Sequence, residues 1–225
     1  MSSPDLAPAA ADPGAPDPFG DRRMLLAPVL RNLADAGVAP VVLIDGPSGA
    51  GKSTLADALA LAWPGPVRPT LVRLDDIYPG WRGLDDAVAH LTEHVLTPRK
   101  LGRSGAWQRY DWDRGEPAEW HTVDRARPLI VEGCGTLAAA HAPLSDIRVW
   151  LDADDRIRKQ RALDRDGDTF RAHWDQWQAD WDAYREREQP ERQATIRLAG
   201  TPGIRRADTP PGIGPGAPAG SLPEA

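Results

Sequence analysis

The stretch VVLIDGPSGAGKST, residues 41–54, decides the fold of this chain. Four apolar residues and an aspartate lead into a glycine-rich run that ends in Lys-Ser-Thr. A continuous apolar run bounded by a turn is typical of a buried strand in a parallel sheet. The segment that follows, 52–62, has helical character. The order of strand, glycine-rich turn and helix therefore predicts an α/β protein.

The glycine-rich run at 46–53 satisfies the pattern G-x-x-x-x-G-K-[ST] of phosphate-binding loops. Its glycines let the backbone fold tightly, so that N–H groups point at phosphate oxygens, and the following helix N-terminus favours an anion. Lys52 is predicted to reach the terminal phosphates, and the hydroxyl of Ser53 to bind Mg²⁺. ATP and Mg²⁺ are the expected cofactors. The residues expected to bind the nucleotide are Gly46, Ser48, Gly49, Ala50, Gly51, Lys52, Ser53 and Thr54.

Strands and helices are predicted to alternate through the rest of the chain. Further strands are predicted at 70–74, 128–131 and 147–151, and helices at 24–36, 84–96, from about 154, and at 169–188. Two segments, 107–112 and 120–123, are candidates for a small paired excursion. This alternation predicts a mostly parallel sheet with helices on both faces, the three-layer sandwich of P-loop NTPases. The domain is expected to span 21–200 with a lid at about 154–168, between disordered tails at 1–20 and 201–225 that are rich in proline.

Composition narrows the functional classes. The formal charge of -6 does not favour a general nucleic-acid-binding surface. The single cysteine, Cys134, cannot form an internal disulfide, which fits a reducing compartment. The sequence shows no basic and apolar signal segment at its start, and no apolar run near the ~20 residues of a membrane helix. We therefore expect a cytoplasmic protein that binds neither membrane nor nucleic acid, in an oligomeric state that the sequence leaves open.

Three classes of P-loop protein compete: a small-molecule kinase, a GTPase switch, and an ATPase motor or module. A GTPase reads guanine with an N-K-x-D element, which is absent because the only asparagine, Asn32, precedes the loop. A motor usually needs a larger chain and partner interfaces. A kinase needs a carboxylate near the γ-phosphate, and VRLDDIY at 72–78 supplies Asp75 and Asp76 at a strand end. The alternative is that these aspartates form a solvated loop pair or a helix cap.

Four motifs in order resemble the uridine kinase group of P-loop kinases, which is related to phosphoribulokinase and one type of pantothenate kinase. They are GPSGAGKST, LDDIY, RYDW at 109–112 and LIVEG at 129–133, and the resemblance spans about 41–165. It implies a kinase for a small-molecule acceptor, with uridine or cytidine as the leading substrates. By this resemblance Asp75 is the catalytic base, Tyr78 an acceptor-site aromatic, Tyr110 a nucleoside contact, Asp86 a ribose contact and Glu132 an acidic residue near Mg²⁺.

The chain also departs from that group. Uridine kinases usually carry a histidine and an arginine shortly after the Y-D-[FY] segment, whereas DRGEPAEW at 113–120 has no histidine. Ile77 replaces an aromatic residue of the group. These departures favour a second hypothesis, a kinase for another hydroxylated metabolite. The segment VWLD at 149–152 also competes with LIVE for the acidic strand end, and we favour Glu132.

The segment RIRKQRALDRD, 156–166, places Arg158, Arg161 and Arg165 on one helical face. In the related kinases an arginine-rich lid closes over the phosphates, so Arg161 and Arg165 are assigned to catalysis with Lys52. The alternative is a solvated helix laced with Asp–Arg pairs. A third hypothesis for the whole protein is an ATP-binding regulatory module that signals through this lid.

Tryptophan is frequent in this chain, with nine residues. The stripe of Trp174, Trp177, Trp181 and Tyr184 is expected to pack against the sheet. Trp81, Trp107 and Trp112 lie nearer the predicted acceptor region and are better candidates for substrate contact.

Overall fold

Five parallel strands form the central sheet of the computed structural model, which describes residues 23–199. Their order is β2-β5-β1-β6-β7, and a separate antiparallel hairpin consists of β3 and β4. The strands are β1 (Val41–Asp45), β2 (Thr70–Arg73), β3 (Gly105–Asp111), β4 (Glu116–Val123), β5 (Leu129–Glu132), β6 (Ile147–Asp152) and β7 (Ile196–Ala199). The predicted α/β sandwich with a parallel sheet is confirmed, and both predicted tails lie outside the described residues.

The central strand explains why the sheet is covered on both sides. Every residue of β1 is buried, and its side chains alternate between two separate cores. Val41 and Leu43 face one core, whereas Val42 and Ile44 face the other. A strand without a polar face can be stable only between two layers of helices.

The helices divide between these two layers. They are α1 (Arg23–Leu33), α2 (Lys52–Leu61), α3 (Leu84–His90), α4 (Thr97–Lys100), α5 (Asp155–Glu188) and α6 (Pro190–Gln193). Helices α1 and α2 pack on the face of Val42 and Ile44, whereas α3 and the second half of α5 pack on the opposite face. A π-helical turn, Leu91–Leu96, joins α3 to α4, so the predicted helix at 84–96 continues for four more residues.

Helix α5 consists of two helical segments that meet at a kink, in agreement with the separate helices predicted from about 154 and at 169–188. Gly167 interrupts the helix with φ 65° and ψ -149°, a backbone conformation that residues other than glycine rarely adopt. After this kink the predicted aromatic stripe is buried against the sheet: Trp174, Trp177, Trp181 and Tyr184 are at most 6% exposed. The stripe therefore fixes the second half of α5, while the kink lets the first half take its own direction.

Strand β7 and the short helix α6 are absent from the sequence-based prediction. The strand has only four residues and lies at the sheet edge beside β6, with Ile196 and Leu198 buried and Arg197 exposed. So short an alternating segment is hard to distinguish from a loop by pattern alone. Among residues 23–199, no helix combines the length and apolarity needed to cross a bilayer.

Candidate active site

The phosphate-loop motif lies between β1 and α2, with two other elements pressed against it. A Cβ atom on Gly46 would lie 2.1 Å from the carbonyl oxygen of Leu151, at the end of β6. A Cβ atom on Gly49 would lie 2.0 Å from the carbonyl oxygen of Arg158, in the first turns of α5. Both glycines also have positive φ, 150° and 80°. The loop therefore needs glycine at these positions both for its backbone conformation and for the close approach of neighbouring backbone.

Replacing Gly49 by Ala is expected to lower nucleotide affinity at least about tenfold and to destabilise the fold by about 1–3 kcal/mol. The methyl group must displace either the loop or the start of α5, because the atom that it meets is backbone. The matched control is Gly37→Ala, since Gly37 also has positive φ but nothing within 4 Å of the added atom. Calorimetric titration with ADP and a melting curve test both variants. Equal nucleotide affinity in the two variants would contradict the proposed crowding of the loop.

The side chain of Lys52 is held by contacts with the loop and with Cys134. Its Nζ donates to the carbonyl oxygen of Pro47 at 3.1 Å and to Sγ of Cys134 at 3.4 Å. Burial acts to lower the pKa of Lys52, but Cys134, Glu132 and Asp75 oppose this effect, and the pKa lies above its usual value. Lys52 is therefore a buried cation surrounded by acidic groups, at the position where the motif places the lysine that binds the terminal phosphates.

Asp45 ties the loop to the segment that follows β5. Its carboxylate accepts hydrogen bonds from the backbone N–H groups of Gly46 at 2.7 Å, Gly135 at 3.2 Å and Leu137 at 2.8 Å. The hydroxyl of Tyr184, on α5, donates to the same carboxylate at 3.0 Å. Burial raises the pKa of Asp45 to about 6, although its backbone donors lower it. Asp45 therefore has a structural role, because its oxygens are engaged within the fold.

A cavity of about 310 Å³ opens above the loop. Its wall combines the loop with three further elements: the turn after β2, the end of β5 and the first half of α5. These contribute Asp75, Glu132, Arg161 and Arg165 to the wall, together with Lys52 of the loop. Because parallel strands end at the same edge of the sheet, groups that are distant in sequence meet around one volume.

Glu132 lies at the end of β5, 2% exposed, and its Oε1 has no hydrogen-bond partner among the described residues. Arg73 Nε lies 3.6 Å from this oxygen. Burial, reinforced by the negative charge of Asp75, raises the pKa of Glu132 above its usual range. A buried carboxylate oxygen without a donor suits a cation. With the hydroxyl of Ser53 on the same wall, this hard oxygen donor set fits Mg²⁺, which commonly uses one or two protein ligands plus phosphates and waters.

Replacing Glu132 by Gln is expected to raise the melting temperature of the nucleotide-free protein at about pH 8 by roughly 2–6 °C. A carboxyl whose pKa is raised by folding stabilises the fold below its unfolded pKa and loses that contribution as pH rises through the folded pKa. The advantage of Gln should therefore shrink toward about pH 5, where both side chains are neutral. The control is Glu186→Gln, on the exposed face of α5. This variant should leave the melting temperature unchanged both at about pH 8 and at about pH 5. A lower melting temperature of Glu132→Gln, or an increase that does not depend on pH, would contradict the conclusion that the ionised Glu132 destabilises the fold.

The three arginines of the predicted lid lie in two different places. Arg158 is buried and faces away from the cavity: its guanidinium donates to Asp155 at 2.6 Å and Gln178 at 3.0 Å and lies over the ring of Trp174. Arg161 and Arg165 line the cavity. The three arginines predicted to share one helical face therefore differ in role. Arg158 connects the first half of α5 to the second half, whereas Arg161 and Arg165 line the cavity above the loop.

The three residues predicted to contact the substrate lie in different environments, and none of them lines the cavity above the loop. Tyr78 is 1% exposed and donates its hydroxyl to the carbonyl oxygen of Cys134 at 2.8 Å, so it lies behind the cavity wall. Tyr78 does not line the cavity above the loop, and its contact with the acceptor stays a prediction. Tyr110 is half-buried on β3 with its ring against Trp112, whereas Asp86 is exposed in the first turn of α3. Neither lines the cavity above the loop, and their roles stay predictions.

Two residues that contact the loop, Cys134 and Trp177, are not among the site residues that the sequence predicts. Cys134 donates from Sγ to the carbonyl oxygen of Gly46 at 3.3 Å and also receives the contact from Lys52. Trp177 donates from its indole nitrogen to Oγ of Ser48 at 3.0 Å. Cys134 could have been predicted to lie near the loop, because it follows the motif residues Glu132 and Gly133 directly in sequence. The helical stripe predicts burial of Trp177 but not its polar contact.

No protein-family model matches the chain. Among solved structures, a possible uridine kinase from Bacillus stearothermophilus is similar with a TM-score of 0.58 and 19% identity over 79% of this chain and 99% of that chain. A candidate fructose transport system kinase from Silicibacter sp. TM1040 gives a TM-score of 0.46 and 16% identity, over 77% and 98% of the two chains. The first likeness, together with the loop, defines a P-loop protein of the α/β class. More narrowly, the fold of the chain is similar to that of the possible uridine kinase from Bacillus stearothermophilus.

Proposed function

We propose that this protein is an ATP-dependent phosphotransferase that phosphorylates a hydroxyl group of a small molecule, with uridine and cytidine as the first candidates. The observation that carries the proposal is the cavity above the loop. It brings Lys52, Asp75 and two lid arginines to one volume, at the strand ends where α/β sheets bind ligands. The uridine kinase-like fold supports the kinase class, and the motif resemblance supports the choice of acceptor.

The loop and the lid bind and neutralise the phosphates in this proposal. Backbone N–H groups of the loop and the N-terminus of α2 face the phosphate oxygens. Lys52 from below and Arg161 and Arg165 from above compensate the charge of the transferred group, which is the main catalytic contribution in phosphoryl transfer. Ser53 and Glu132 would hold Mg²⁺, which supplies further positive charge at the phosphates when bound.

Asp75 is the better candidate for the base of the two adjacent aspartates. Its residue lines the cavity, and its backbone carbonyl accepts a hydrogen bond from the indole of Trp112 at 2.9 Å, which fixes the turn. Asp76 lies toward the β3–β4 hairpin, where Arg109 and His121 act on its carboxyl. Burial and the charge of Asp75 raise the pKa of Asp76 to about 6. We therefore assign to Asp75 the role of the base that takes the proton from the acceptor hydroxyl.

The test is ADP release from MgATP across a panel of hydroxyl compounds, beginning with uridine and cytidine. Strong stimulation by a pyrimidine nucleoside supports the proposal in full. Stimulation only by another hydroxyl compound keeps the kinase and excludes the pyrimidine acceptor. ATP binding without stimulation by any compound contradicts the kinase and favours the regulatory module.

A different acceptor is the second candidate, and the hairpin favours it. Uridine kinases carry their base-reading residues in the segment that corresponds to 113–120. Here residues 113–115 form the exposed tip of the hairpin, and residues 116–120 form the first, mostly exposed part of β4. Oδ1 of Asp111 accepts hydrogen bonds from the backbone of Asp113 at 3.1 Å and Arg114 at 3.0 Å, which closes the turn. A tight tip of this kind leaves the recognition of a base to other side chains, such as the half-buried Trp112 and Tyr110.

A further inference from the structure

Helix α5 holds the phosphate loop at two points on one face. Tyr184 donates to Asp45, directly before the loop, and Trp177, two turns earlier, donates to Ser48 within it. The same helix carries Arg161 and Arg165 before the kink at Gly167, and both residues line the cavity above the loop. One helix therefore supports the floor of the site and supplies its lid.

Trp177 also belongs to a chain of contacts that reaches the turn carrying Asp75. Its ring meets Tyr78 edge-on at 4.9 Å, and Tyr78 donates to the carbonyl oxygen of Cys134. Cys134 in turn donates to the carbonyl oxygen of Gly46, and its Sγ lies 3.7 Å from Oγ of Ser48. With Trp177 6% exposed, its indole N–H has little access to water and depends on Ser48 as acceptor.

We propose that Trp177 is a positioning residue of the nucleotide site, which acts through Ser48 to hold the loop in its phosphate-binding conformation. The hydroxyl of Ser48 is fixed by the indole, and its backbone is thereby fixed between Gly46 and Gly49, the two residues most closely crowded by neighbouring backbone. This role rests on the proposed function only in that the loop binds a nucleotide. It concerns the binding of phosphates and requires no particular acceptor.

The test is a double-mutant cycle on the full chain with Trp177→Phe, Ser48→Ala and the double variant, read as the ADP dissociation constant by calorimetry. Loss of one neutral hydrogen bond should weaken ADP binding about fivefold in each single variant. Because both changes remove the same bond, the double variant should remain near about fivefold, whereas independent effects would multiply to about 25-fold. The KM for ATP should rise with little change in kcat, since the loop holds phosphates before and during transfer.

The control is Trp181→Phe, which removes the same atoms one turn further along the stripe. Trp181 stacks on Trp150 at 5.9 Å, and its indole makes no hydrogen bond to the loop among the described residues. A purely structural role of the stripe would lower the melting temperature of both Phe variants while leaving ADP affinity at 25 °C unchanged.

Unchanged ADP affinity in Trp177→Phe, or multiplied effects in the double variant, would overturn the role of Trp177 and leave the proposed function intact. Failure of the unmodified protein to bind ADP would overturn both. A coupled loss of ADP affinity without acceptor-stimulated turnover would support Trp177 and count against the kinase alone.

Discussion

Replacing Asp75 by Asn is expected to lower kcat by about 10²- to 10⁴-fold with little change in ATP affinity. Asn has nearly the same size, and the hydrogen bond from Trp112 to the backbone of residue 75 does not depend on the side chain. The turn should therefore keep its shape while losing the group that accepts the acceptor proton. Turnover with a stimulating acceptor and calorimetric titration with ATP measure the two quantities separately.

The adjacent residue supplies the control for this result. Asp76→Asn makes the same chemical change in the same turn, on the side that faces Arg109 and His121, and should leave kcat within a few-fold. A larger loss in Asp76→Asn than in Asp75→Asn would reverse the assignment of the base. Equal and small effects in both variants would favour the regulatory module.

Replacing Lys52 by Met is expected to lower kcat/KM for ATP by about 10²- to 10³-fold, the scale found when one preorganised charge donor is removed from an active site. Met retains the length and most of the volume of the side chain but not the ammonium group that donates to Pro47 and Cys134. The loss should appear in both KM and kcat, because the charge acts on the phosphates before and during transfer.

Lys159→Met is the matched control for Lys52. Lys159 lies exposed on the first half of α5, with its ammonium group over the ring of Trp174. Its loss should leave kcat/KM within a few-fold, because Lys159 belongs to the predicted lid but does not line the cavity above the loop. Full activity of Lys52→Met, with a melting temperature close to that of the unmodified protein, would contradict the role of the loop lysine.

The residues that define the fold carry strong local patterns. Residues 41–44 are apolar throughout because β1 is buried on both faces, and Gly46 and Gly49 are required by positive φ and by backbone contact. These constraints act within a few residues, so the α/β class and the position of the loop are readable from the sequence. The edge strand Ile196–Ala199 is not readable in this way, because its pairing with β6 depends on tertiary packing.

The candidate site is only partly readable for the same reason. Arg158, Arg161 and Arg165 share one helical face, but only the packing of α5 on itself shows that Arg158 bonds Asp155 and Gln178 while the other two line the cavity. Tyr78 matches a motif, yet its hydroxyl is used inside the core. The direction in which a side chain points depends on contacts with residues that are distant in sequence. A local sequence pattern carries no information about these contacts.

Transfer of the γ-phosphoryl group from labelled ATP to an organic acceptor tests the central claim most directly. The acceptor is the compound that stimulates ADP release most strongly, and the products are separated and identified. We expect label in a phosphorylated acceptor with the unmodified protein, and a loss of about 10²- to 10⁴-fold in its rate with Asp75→Asn. Label that appears only as inorganic phosphate, or remains in ATP although the protein binds it, would contradict the account.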